Sequence, residues 1–208
     1  MNILTIVIFL PLVGALALLT LRKGSEKVVR MVALFSSVAT FALSLPLFFG
    51  FDKTKGLYAD GLGDLVQFEV NHPWIETLNI HFHLGLDGIS LLLVMLTTFL
   101  TPLCIWASFG AIEKQVKGYY IAFLLLETGM IGVFASLDLV LFYVFWEAML
   151  IPMYLLIGIW GGPNRVYAAV KFILYTLVGS LLMLVGIIWL YFNAVPGQHT
   201  FDLVTISH

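Results

Sequence analysis

Glu147 is the single charged side chain in LVLFYVFWEAMLIPMYLLIGIW, residues 139–160, a run of the length that carries a helix across a bilayer. A carboxylate near the middle of hydrocarbon costs about 3 kcal/mol on insertion scales, so such groups turn to a protein or water-lined interior and act there. The chemistry open to it is proton or ion handling. Low polarity favours a neutral acid and a nearby cation favours a carboxylate; a group held between the two can load and release a proton. Tyr143 precedes Glu147 by four residues and Tyr154 follows by seven, which puts all three on one helical face. Pro152 has no N–H and frees the carbonyl of Ala148, so polar backbone that can hold water lies beside the carboxylate. The plainer alternative is a glutamate that only hydrogen-bonds a neighbouring helix.

Two further ionisable groups sit inside apolar runs. Glu127, in LLLETGM, falls about mid-span, and Gly129 and Gly132 after it let another helix approach closely. A carboxylate on the neighbour of the Glu147 helix points to a relay, or to a structural bond between helices. Lys171, in VYAAVKFILYT, lies about 8 Å along its helix from Val166. It either tunes a carboxylate or passes a proton, or it reaches back to the membrane surface, since helical side chains lean towards the N-terminus. Tyr175 shares its face. His81 and His83 form an isolated H-x-H, read as part of a solvated loop, because two histidines do not complete a metal site. No dinucleotide fingerprint or phosphate-binding glycine loop is present.

The elements that must position these residues are transmembrane helices. The chain has 208 residues, 61% hydrophobic and 11% charged, with a mean hydropathy of +1.05. A soluble domain carries about 25% charge, so this is a polytopic membrane chain. Its formal charge of −2, without a basic stripe, excludes nucleic acid. Cys104 is the sole cysteine, which excludes an internal disulfide. The start lacks a basic region and cleavage site, so the first apolar run reads as a retained span.

Six spans are predicted: about Ile3–Leu21, Met31–Phe49, Ile89–Ser108, Gly118–Ser136, Leu139–Trp160 and Val166–Phe192. Residues 1–50 hold the first two, 51–86 an extracytoplasmic loop, 87–192 helices three to six, and 193–208 an extracytoplasmic tail. The alternation in LVQFEV predicts a strand or hairpin. Asp87 and Asp138 precede the third and fifth spans as helix caps. Pro11, Pro46 and Pro102 fall within spans, where they shape packing. Arg22, Lys23, Lys27, Arg30, Lys114, Lys117 and Arg165 lie in loops of one side, against Lys53 and Lys55 on the other. The positive-inside rule then puts both ends of the sequence outside the cytoplasm.

HLGLDGISLLLVMLTTFLTPL, LLLETGMIGVFASLDLVLFYVFWEAMLIPMYLLIGIWGG and YAAVKFILYTLVGSLLMLVGIIWLY closely resemble the antiporter-like subunit M (chain 4) family of NADH:quinone oxidoreductase, respiratory complex I. The likeness runs through nearly the whole chain, and the FWEAMLIPMYLLIG block is specific to the wider family of antiporter-like subunits. It implies an all-α integral membrane protein with six transmembrane helices, part of an antiporter-like inverted-repeat bundle in a bacterial inner membrane. It implies proton translocation driven by electron transfer elsewhere: NADH, FMN, iron–sulfur clusters and quinone belong to partner subunits, with no cofactor and no redox chemistry in this chain. Partners are the other membrane-arm subunits, lipid and protons. The resemblance makes Glu147 the proton-channel carboxylate, matches Lys171 to a polar residue of the central axis, and leaves Glu127 secondary. Family members are far longer. The helix whose lysine pairs with the Glu147 position, a broken helix beyond it and the second repeat fall outside this sequence, so it reads as an N-terminal piece that does not pump alone. Two other readings stand beside this one: a subunit of a multi-subunit cation/proton antiporter, and a non-functional structural membrane fragment.

Overall fold

The computed structural model describes residues 2–21, 26–52, 54 and 62–207. Arg22, Lys23, Lys53, Lys55 and Asp60 lie outside them. Helices α1 (Ile3–Thr20) and α2 (Glu26–Phe49) are followed by a short turn α3 (Leu62–Leu65), a hairpin β1 (Gln67–Ile75) and β2 (Ile80–Leu86), then α4 (Gly88–Ala107), α5 (Val116–Ala135), α6 (Leu139–Trp160), α7 (Arg165–Asn193) and a terminal turn α8 (Leu203–Ile206). Six of these helices are long and apolar enough to span a membrane. In lipid a helix satisfies its own backbone, which is why every long apolar run takes this form.

Polar residues set the helix starts. Asn2 accepts a hydrogen bond from the Leu4 N–H. Asp87 and Ser90 form a reciprocal capping box on α4, and Asp138 accepts from the N–H groups of Val140 and Leu141 on α6. Both aspartates are the caps expected from sequence. Helix α2 begins five residues before its apolar run. Glu26 occupies its first turn and lies 3.8 Å from Arg30, an i,i+4 pair that favours helix beyond the hydrophobic segment. The proline positions 11, 46, 102 and 152 all lie inside continuous helices.

Helix α5 is the centre of the bundle and packs on α1, α2, α4 and α6, whereas α7 packs chiefly on α6. Lipid supplies no hydrophobic drive between helices, so close packing of small residues must hold them. An added Cβ on Gly129 would come 2.3 Å from Met149 Cγ, and one on Gly132 2.4 Å from Phe145 Cδ1. These two glycines let α5 and α6 touch. One apolar core gathers Leu4, Val7, Leu47, Leu84 and Ile131 under the hairpin; another gathers Leu18, Ile105, Val116, Tyr120 and Leu124 at the opposite end. At that second end Lys117 donates to the carbonyls of Leu19 and Leu21 at 2.9 and 2.8 Å, where the carbonyls of α1 run out of helical partners.

The hairpin expected around LVQFEV is present and antiparallel, pairing Gln67 with Leu86, His72 with Phe82 and Ile75 with Ile80. Asn79 turns it in the left-handed region at φ 53°, a conformation that asparagine tolerates. The chain after α7 folds back onto this end. Leu139 N–H donates to Phe201 O at 2.9 Å, and Leu203 N–H to Leu137 O at 2.8 Å.

Candidate functional site

Helix α6 carries Glu147 on the side facing α7. The side chain is half-buried in a groove lined by Tyr143, Val144, Ala148, Leu150, Ile173 and Leu177. Its Oε1 is buried and has no hydrogen-bond partner among the described residues. Apart from the Tyr143 hydroxyl, which lies on the Glu147 side of the groove, its walls are apolar. A carboxyl in such a place can exchange a proton with a donor or acceptor brought into the groove, and little else.

Lys171 is not that partner. It lies on a different face of α7 and is exposed, its Nζ 5.7 Å from the centre of the Tyr167 ring. With Val170, Leu174, Tyr175 and Val178 it lines an open furrow along α7, separate from the Glu147 groove. No ion pair joins Glu147 to a cation among the described residues. Glu127 on α5 is the deepest of the three, with 0% exposure. Both of its carboxyl oxygens lack a hydrogen-bond partner among the described residues, so no direct bond links it to Glu147. The three sequence candidates thus occupy three places: the core of the bundle, the α6–α7 groove and the outer face of α7.

The expectation that His81 and His83 sit in a solvated loop fails for His83. Its side chain is 2% exposed, and both ring nitrogens meet carboxylates: Nδ1 is 2.7 Å from Asp202 Oδ1 and Nε2 is 2.8 Å from Glu69 Oε1. A carboxylate only accepts, so the ring must donate from both nitrogens, which is the imidazolium form. Burial alone would lower the proton affinity of His83; the hydrogen bond and charge of Asp202, then those of Glu69, outweigh it and raise the pKa above its ordinary value. Burial likewise pushes the Asp202 carboxyl up, but the His83 bond and two bonds from Thr205 bring it down to about 2. The neighbouring His81 donates its backbone N–H to Asp138 Oδ2 at 3.0 Å, and its ring meets Asn71 Oδ1 at 2.7 Å. The hairpin, the start of α6 and the segment after α7 are therefore pinned at one point. Sequence reasoning missed this because Asp202 is 119 residues from His83, and no local pattern reports such a pair.

Comparison with known proteins covers the same residues. The family model described as NADH:quinone oxidoreductase/Mrp antiporter, TM matches residues 136–207, and that of NADH-ubiquinone oxidoreductase chain 4, amino terminus, matches residues 65–135. NADH-quinone oxidoreductase subunit M of Rhodobacter capsulatus is 50% identical over 209 aligned residues, covering 99% of this chain and 38% of that relative. NADH-ubiquinone oxidoreductase chain 4 of Marchantia polymorpha is 42% identical, covering 89% of this chain and 36% of that one. The chain spans about two fifths of the length of the curated relatives it matches. Among solved structures, respiratory complex I from Thermus thermophilus with bound NADH contains a chain that superimposes with a TM-score of 0.77 at 30% identity, over 98% of this chain and 38% of that one. A chain of the Mrp complex from Dietzia superimposes at 0.73 with 18% identity over 95% of this chain and 20% of its own, a likeness of fold alone.

Proposed function

Because the chain belongs to the subunit M (chain 4) family of NADH:quinone oxidoreductase membrane subunits, we propose that it serves as part of a proton-translocating subunit of the respiratory membrane arm, with Glu147 as its principal proton-handling residue. The observation that carries this reading is the Glu147 carboxyl itself. It is held on α6 in an apolar groove, with one buried oxygen unpartnered among the described residues. The family resemblance implies a lysine on the helix that follows in the longer relatives, and in this reading that lysine enters the groove. Beside that cation Glu147 keeps its charge; when the cation withdraws, the low-polarity groove favours the acid and the proton is taken up. An ion pair about 4 Å apart at an effective dielectric of about 20 is worth roughly 4 kcal/mol, which is ample to drive the exchange.

Lys171 and Glu127 are assigned secondary roles. Lys171 supplies positive charge along the open face of α7, and Glu127 holds a proton deeper in the bundle. The site is bacterial and in the cell membrane, with residues 1–50 and 87–192 as membrane-embedded units. The 51–86 and 193–208 segments face away from the cytoplasm. Partners are other membrane-arm subunits, with the flavin, iron–sulfur clusters and quinone held elsewhere in the complex. The cation/proton antiporter reading draws support from the family model over 136–207, whose description also names the Mrp antiporter, but the chain 4 family match over 65–135 and the 50% identity to subunit M favour the respiratory enzyme.

The test is Glu147→Gln at the matching position of a full-length relative, assembled in its complex and reconstituted in vesicles. Proton uptake per NADH oxidised is read with a pH dye, with and without sodium. Loss of uptake in both media supports the proposal. Unaltered uptake rejects it, and loss confined to sodium medium transfers the chain to the antiporter reading.

A further inference from the structure

Buried hydroxyls in this bundle usually donate to their own helix. Ser37, Thr40 and Ser44 on α2 donate to the carbonyls of Leu34, Ser36 and Phe41 at 3.0, 2.9 and 2.7 Å, and Thr101 on α4 does the same to Thr97 at 2.8 Å. Ser36 and Thr128 are exceptions. Both are 7% exposed, and neither hydroxyl oxygen has a hydrogen-bond partner among the described residues. Six buried side-chain atoms are unpartnered in this way, and four of them belong to Ser36, Glu127 and Thr128. Such atoms are uncommon in folded proteins, and each one asks for an explanation.

Ser36 on α2 meets α5 one helical turn from the other two residues. Gly14 on α1 makes room for Ser36: an added Cβ would come 2.1 Å from Ser36 Oγ and 3.3 Å from Leu124 Cδ1. Leu124 lies one helical turn before Glu127 and Thr128 on α5. No ion pair joins Glu127 to a cation among the described residues. Lys117 is engaged by the carbonyls of Leu19 and Leu21, Arg30 by Ile112 and Glu26, and Lys171 stands on α7, which packs on α6. A bare carboxylate in such a place is far more costly than a neutral acid that donates to a water.

We propose that Ser36, Glu127 and Thr128 enclose a buried water site between α1, α2 and α5, in which Glu127 carries an exchangeable proton. The ligand class is water, held by one carboxylic acid and two hydroxyls whose lone pairs and protons are not used elsewhere. The site deepens the proton-handling reading of Glu127 but does not depend on Glu147. It is closed by helices of this chain alone, whereas the Glu147 groove is open.

The test is infrared spectroscopy of the 208-residue chain in lipid vesicles, in H2O and then in D2O. The wild type minus Glu127→Gln difference is expected to show the carbonyl stretch of a neutral carboxyl, and that band shifts down on transfer to D2O. The same band persists in Glu147→Gln, which separates this site from the function proposed above. Thr128→Val combined with Ser36→Ala retains the band but slows its D2O shift, and this variant reads the same site if the Glu127→Gln change disturbs folding. No neutral-carboxyl band assignable to Glu127, or a band that never shifts in D2O, overturns the proposal. A D2O shift equally fast in the double variant overturns the hydroxyls' part in it.

Discussion

The ionisable residues of this chain differ less in type than in what stands around them. Glu147 was readable in the sequence, because one charge in a 22-residue apolar helix is conspicuous. Glu127 was readable as a candidate, but its depth was not: full burial is a property of the neighbouring helices, and no window of sequence contains them all. His83 was misjudged for the same reason, since the carboxylates that bury it come from β1 and from beyond α7. A His83→Ala substitution leaves Asp202 and Glu69 without their shared donor, and charge-assisted bonds of this kind are worth about 2 kcal/mol each. The expected outcome is earlier unfolding of the hairpin end, measured as loss of hydrogen-exchange protection at the Leu203 and Leu139 amides while α5 amides stay protected. The pH dependence has two edges. His83 binds its proton more tightly folded than unfolded, so its contribution is full below the ordinary histidine value of 6.5 and is lost as pH rises through the raised one. Asp202 is the reverse case: its contribution is present above 3.8 and is lost as pH falls through about 2. Protection of the Leu203 amide, corrected for intrinsic exchange, is therefore expected to be greatest between these edges.

At the level of elements, the six spans followed from hydrophobic run lengths, and their ends moved by only a residue or two except at α2. There Glu26 and Arg30 extend the helix past its apolar stretch. The pairing of helices was only partly legible. Gly129 and Gly132 announced a close approach, and α6 is the helix that makes it. The two are not equivalent. Gly132 faces the flat ring of Phe145, which has no room to yield, and Gly129 faces the flexible side chain of Met149. Gly132→Ala is expected to destabilise the α5–α6 pair by about 1–3 kcal/mol, as overpacking does, and Gly129→Ala by less; denaturant titration in micelles measures the order. Gly179 and Gly186 on α7 have no atom within 4 Å of an added Cβ. Alanine at either is expected to leave the stability of this chain within about 0.5 kcal/mol of the parent. Removing the α6 cap with Asp138→Ala costs about 1–2 kcal/mol and frees the His81 N–H as well, so it is expected to loosen the hairpin along with the helix.

At the scale of the whole molecule, α1, α2, α4 and α5 form a bundle, α6 lies against α5, and α7 lies against α6 with only Ala169, Ser180 and Ile187 buried. The open flank of α7 is mainly apolar, with Leu174, Tyr175, Val178, Leu182 and Trp189 exposed and Gly179 and Gly186 among them. Six-span architecture and family were legible because both depend on runs of residue type and on contiguous motifs. The hairpin-end cluster and the Ser36–Glu127–Thr128 junction were not, because both are assembled from residues far apart in the chain. The central claim is that this chain contributes the carboxylate half of a proton-handling pair to a longer subunit. The most direct measurement replaces the aligned N-terminal part of subunit M from Rhodobacter capsulatus, its 50%-identical relative, with these 208 residues, and reads proton pumping per NADH oxidised in membrane vesicles. The account predicts that the chimaera pumps and that its Glu147→Gln form assembles yet loses pumping; a Glu147→Gln chimaera that pumps as well as its parent would contradict it.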